Sequence, residues 1–121
     1  MSWDVNAAAE YLDRHANGTT SLHRCAEYTS NAIGHGGVHI LRHHSAKDFG
    51  SSLVAAGFLE VTGDDYQRGD VVVIQGFQGH TDGHMAMYDG ERWVSDFKQR
   101  TLYPGESYRA ARPSYVVYRH P

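Results

Sequence analysis

Up to about residue 57 apolar residues recur at helical spacing, and beyond it they run together in short β-branched stretches, so helices precede strands. Val5, Ala8, Ala9, Leu12 and Ala16 mark one face of a helix over 4–16, with Asp4 as its cap and Asn17-Gly18 suited to a left-handed C-terminus. Thr20 and Ser21 are capping candidates for a second helix. Its buried face is Ala26, Tyr28, Ala32 and Ile33, and Gly34-His35-Gly36-Gly37 ends it. A third apolar-periodic stretch begins at Ser45 and stops at Gly57.

The segments FLEVTG and VVVIQGF are bounded by Gly-rich turns and read as strands. HMAMYDGERWVSDF reads as two strands joined at Asp89-Gly90, a dipeptide that accepts the positive φ angles of a tight hairpin. SYVVYRH follows a loop containing Pro104, Gly105 and Pro113 as the last strand. Helices followed by an antiparallel meander predict an α+β fold, and 121 residues without repeats or linkers predict a single domain over 1–121.

Charge and composition narrow the function classes. Eleven Lys and Arg against fourteen Asp and Glu leave a net charge of −3, with no basic cluster to suggest nucleic acid or an anionic membrane surface as partner. No apolar run approaches the length of a bilayer span, so membrane insertion is not expected. The N-terminus lacks a basic region followed by a continuous apolar stretch, which predicts a protein without an export signal, cytoplasmic in the cell that makes it. A single cysteine, Cys25, excludes an intrachain disulfide and leaves the thiol as buried filler or as chemistry.

Cys25 falls at the start of the second helix, where unpaired N–H groups and the helix dipole favour a thiolate. His84 opens the strand HMAMY and is the candidate base. His84, Ala86 and Tyr88 share one face of that strand, Met85 and Met87 the other, and the small Ala86 leaves room for a neighbour such as Cys25. In simple hairpin register the returning strand brings Asp96 within reach of the second imidazole nitrogen, as the group that holds the tautomer. Ser95 points to the opposite face. Tyr28, three residues after Cys25, is expected mainly to pack, and Asp70 to close a turn ahead of the central strand.

Cys at a helix start, a Gly-Asp pair leading into an apolar strand (GDVVVI), Gly-His opening the next (GHMAMYDG) and a polar residue twelve after that His form an ordered series. It resembles the NlpC and CHAP superfamily of papain-like cysteine amidohydrolases, over about residues 20–120. The resemblance implies a papain-like fold, hydrolysis of peptide or amide bonds in bacterial peptidoglycan, Cys25 as nucleophile, His84 as general base, Asp96 as the third, orienting residue, and no cofactor. Small size and the absence of an export signal look most like the type VI secretion amidase effectors. That implies delivery by a secretion machinery to the periplasm of a target bacterium and an immunity protein as partner.

The His/Gly-rich stretch IGHGGVHILRHH at 33–44 departs from the usual pattern of that superfamily, in which the segment after the nucleophile helix varies and can line the substrate groove, so the departure leaves its role here open. Two pairs, His80 with His84 and His39 with His43, have spacings that zinc sites use. The Gly-rich flank of 35–39 disfavours a helix there and one Cys cannot build a Cys-rich site, so no metal is expected and His80 is placed on the groove rim. The other readings are a phage-type or housekeeping hydrolase that cuts the muramoyl-alanine amide, and a catalytically silent peptide-binding module.

Overall fold

The computed structural model describes residues 3–121. Helix α1 spans Val5–His15, begun by the Asp4 carboxylate accepting from the Ala7 N–H at 3.0 Å, and buries Ala8, Ala9 and Leu12. Two alanines on that face let α2, Cys25–His35, approach closely with Ala32 and Ile33. The expected third helix is broken into a 3₁₀ turn, Ala46–Asp48, and a short α3, Gly50–Ala55. The break turns the Phe49 ring into the core. At Gly50 a Cβ would come within 2.5 Å of the Tyr118 hydroxyl, so glycine is what lets this turn lie against the sheet.

Five strands follow: β1 (Leu59–Val61), β2 (Val71–Ile74), β3 (His84–Tyr88), β4 (Trp93–Val94) and β5 (Tyr115–Arg119). All pairings are antiparallel and the order is β1-β5-β2-β3-β4. Strands β2 to β4 form the expected meander, while β5 returns between β1 and β2. Alternation along the strands divides the core. Val71, Val73, Met85 and Met87 face the helices, and Val72, Ile74, Ala86 and Val117 face the other side with Trp93 and Tyr108. The α+β class expected from the sequence is the one observed.

The β3–β4 hairpin closes through four residues rather than two. The Asp89 carboxylate accepts from the N–H groups of Glu91 and Arg92, both at 2.8 Å, so an Asx turn widens the loop. One element was not expected, α4 at Glu106–Ala111, inside the segment read as a loop. Pro104-Gly105 before it and Arg112-Pro113 after it confine it to six residues, and burial of Tyr108 fastens it over the second sheet face. Asp70 takes the structural role expected of it: wholly buried, it accepts from the Gln67 N–H and pairs with Arg119 through two bonds of 2.8 Å. No helix among the described residues is long and apolar enough to cross a membrane.

Candidate active site

Strand β4 is only two residues long, so the β3 edge before Met87, His84 to Ala86, has no strand beside it. Helix α2 covers that edge instead. The Thr29 hydroxyl donates to the Met85 carbonyl at 3.4 Å, and the Met85 N–H is directed at the Cys25 thiol. Cys25 and His84 thereby line one groove of about 670 Å³, bounded by the loop before α2, residues 42–49, the loop before β3 and the start of α4. At Gly83, φ is +72° and a Cβ would lie 2.2 Å from the Ile74 carbonyl oxygen. Only glycine fits the turn that delivers His84 at the mouth of β3.

His84 is buried, and its Nε2 lies 2.7 Å from Gln99 Oε1. The Gln99 amide nitrogen donates to the carbonyls of Thr101 and Leu102, at 3.0 and 3.1 Å, which fixes its oxygen toward the imidazole. His84 must then donate from Nε2, and Nδ1 is left as the ring's acceptor. The expected orienting contact from Asp96 is therefore not the one formed. After Val94 the chain turns back on itself, with Ser95 N–H donating to Phe97 C=O and Gln99 N–H to Trp93 C=O, and this turn brings Gln99 to the imidazole. Asp96 turns the other way. Its Oδ2 accepts from the N–H groups of Leu22 and Arg24, at 2.5 and 3.1 Å, clamping the loop that leads into Cys25. That loop carries the left-handed residue His23, φ 59°, a conformation such clamping sustains.

The electrostatics also differ from the expectation at Cys25. Burial pushes the thiol up to about 11 and outweighs the N–H groups of Met85, Ala26 and Cys25 itself, which favour the thiolate. The same cause pushes His84 down to about 4, against the Gln99 hydrogen bond and the Asp96 charge, both of which favour the imidazolium. Both shifts favour the neutral form, a thiol and an uncharged imidazole lining the same groove. The Arg24 cap of α2 makes no side-chain bond to the helix start, so the first amides beside Cys25 are not filled by a capping side chain.

The neighbours of His84 are Phe97 and Tyr108, with ring centroids 6.4 and 5.9 Å away, so the Ala86 face packs on α4 and its surroundings rather than on Cys25. Sequence reasoning missed both Gln99 and Tyr108. Tyr108 closes the groove beside Cys25 and is raised to about 12, first by burial and then by the nearby Cys25 and Asp82 charges. Its only signal was the Pro104-Gly105 and Arg112-Pro113 punctuation. His80 lies exposed on the rim against Phe77 and Tyr108. Tyr28 packs against the helix-side core beneath the Arg24 guanidinium. His39 and His43 share no helix, and His43 is held at 2.7 Å by the Ser52 hydroxyl. Among the described residues no group of three or more His, Cys, Asp or Glu side chains is arranged to hold a metal ion.

No family model matches the chain and no curated protein does. Solved structures do. The native type VI effector–immunity complex Tae3–Tai3 from Ralstonia pickettii contains a chain 48% identical to this one, with a TM-score of 0.93 over 98% of this chain and 100% of that one. The selenomethionine form of that complex gives 50% identity and a TM-score of 0.88, over 93% and 99% of the two chains.

Proposed function

The chain belongs to the Tae3 family of type VI effectors, and from that premise we propose that it is an antibacterial cysteine amidase that hydrolyses a peptide bond in the stem or cross-link peptides of peptidoglycan. The observation that carries this reading is the shared groove. A thiol at a helix start and an imidazole at a strand start face one cavity, with the imidazole tautomer set by Gln99. Residues 1–121 act as one catalytic domain of papain-like type, and the order of Cys25, His84 and a polar partner supports its kinship with the NlpC and CHAP amidohydrolases.

In the proposed reaction Cys25 Sγ attacks the amide carbon as its proton passes to His84 Nδ1. The neutral resting pair makes this a general-base step rather than attack by a standing thiolate. The backbone N–H of Cys25, beside the uncapped helix start, helps hold the oxyanion, a contribution of about 3 kcal/mol per donor. Collapse breaks the C–N bond and returns the proton to the leaving amine. Water, deprotonated by His84, then releases the thioester as a carboxylate and restores the thiol. Gln99 keeps the ring in register, and Asp96 keeps the nucleophile loop in place.

The matched structures are complexes with an immunity protein, which supports a cognate inhibitor for this chain as well. Delivery by a type VI machinery into the periplasm of a rival completes the proposal. Purified protein and its Cys25→Ala variant, incubated with whole sacculi, test it: new muropeptides from the wild type alone, resolved by mass, name the bond. Sacculi left intact by a folded wild-type protein would return the chain to the class of peptide-binding modules.

A further inference from the structure

The His/Gly-rich stretch that departs from the superfamily pattern forms one wall of the groove. Beyond α2 it has no regular structure through His44 and is tied down at intervals. Asp4 N–H donates to the Gly36 carbonyl at 2.8 Å, Arg42 Nη2 donates to Asn31 Oδ1 of α2 at 2.8 Å, and His43 bonds Ser52. The result is a strap that presents Arg42, His43 and His44 to the cavity that contains Cys25 and His84.

Most other charges lining that cavity are already engaged. Arg24 is gripped by Glu27 through both Nε and Nη2. Asp82 accepts from the Ser45 hydroxyl at 2.7 Å, and Asp96 is committed to the Leu22 and Arg24 amides. Arg42 differs. Among the described residues its one side-chain partner is the neutral amide of Asn31, which steers a single nitrogen and leaves the rest of the fork unpaired on a residue that lines the groove. Glu27 feels that charge, but its two oxygens are taken by Arg24.

We propose that Arg42, positioned by Asn31, is a carboxylate-recognition subsite of the groove, reading a free carboxylate on the peptide whose amide bond is presented to Cys25. A guanidinium fork suits a planar carboxylate through two parallel bonds, which an amidated or uncharged residue cannot reproduce. This rests on the amidase reading only in the choice of ligand, since stem peptides of peptidoglycan carry free carboxylates at defined positions.

The test separates the two claims by measuring binding rather than turnover. Calorimetry on the Cys25→Ala protein compares a stem tetrapeptide with its carboxyls free and the same peptide with them converted to carboxamides. The free acid should bind about tenfold more tightly, the low end for a charge-assisted pair reached by solvent. Adding Arg42→Gln should remove that preference, and Arg42→Lys should retain only part of it, because the charge survives without the fork. Equal binding of the two peptides to Cys25→Ala, failure of both to bind, or a tenfold preference that persists in Arg42→Gln overturns the proposal. Arg42 is exposed, and a thermal midpoint unchanged in Arg42→Gln shows that the variant is folded. Hydrolysis of sacculi by the wild type decides the amidase reading independently.

Discussion

Nε2 of His84 lies 2.7 Å from Oε1 of Gln99, and Gln99 cannot flip its amide without losing its bonds to the carbonyls of Thr101 and Leu102. The imidazole is held in one tautomer by a neutral side chain, which orients it without supplying charge. Gln99→Ala should lower kcat by roughly tenfold to a hundredfold, part of what a positioned base contributes. Gln99→Glu is the more telling variant. A carboxylate there stabilises the imidazolium, so the acid limb of kcat/KM, set by a His84 near about 4, should move to higher pH. An acid limb that stays where it was would remove Gln99 from the role of orienting partner.

Asp96 touches the nucleophile's loop instead of the base. Wholly buried, it bridges the N–H groups of Leu22 and Arg24, while its Oδ1 is left without a hydrogen-bond partner. Asp96→Ala leaves two amides without their acceptor and should cost about 1–3 kcal/mol of stability each, read as a lower midpoint in urea. Asp96→Asn retains an acceptor oxygen and should be milder in both stability and activity. Because Asp96 acts through Cys25, its variants should slow alkylation of that thiol. An Asp96→Ala protein with wild-type stability and thiol reactivity would contradict the clamp.

Much of this arrangement was legible in the sequence. The two long helices and all five strands follow from periodicity and end within a few residues of the expected positions, and the Cys25 and His84 pair follows from where those elements begin. What escaped has physical causes. Asp96 and Gln99 are three residues apart in a turn that reverses direction after Val94, and strand alternation says nothing about side chains once the strand has ended. The third helix is interrupted at Phe49, whose ring is buried in the core, and Gly50 makes room for Tyr118, a tertiary fit that periodicity does not encode. Helix α4 has six residues, too few for a periodic signal. The helix dipole suggested a thiolate at Cys25, but burial is the larger effect, and burial is not visible before the fold is.

That last difference is measurable. With the thiol raised to about 11, its reaction with iodoacetamide in the free protein should climb steadily from pH 7 through pH 10 as the thiolate fraction grows. A standing thiolate and imidazolium pair would instead give a rate already on a plateau at neutral pH. His84→Ala should leave the shape of the profile nearly unchanged, because the imidazole is neutral throughout that range. A plateau below pH 8 that disappears in His84→Ala would show that the pair is ionised at rest and would replace the general-base step.

A second pair of groups, away from the groove, should govern stability. Asp13 of α1 faces Asp89 of the β3–β4 turn, and its Oδ1 is buried without a partner. Burial, the hydrogen bond to Asp89 and the Asp89 charge push Asp13 up to about 6, with Lys98 and Arg68 pulling weakly the other way. Burial works against Asp89 as well, yet the N–H groups of Arg92 and Glu91 hold it below the ordinary carboxylate range, so Asp13 is the partner that keeps the proton. A raised native-state value means that the folded chain binds this proton more tightly than the unfolded one. The contribution is fully present below about 3.8 and is lost as pH rises through about 6. Above that, two carboxylates face each other. Asp13→Asn supplies a permanent donor to Asp89 and should raise the thermal midpoint at pH 7.5 by a few degrees, about 1 kcal/mol or less once solvent screening of this half-open pair is counted. The gain should vanish below pH 4, where the wild type already carries the proton. A stabilisation equal at both pH values would mean that the variant acts through packing and that the two carboxyl groups do not share a proton.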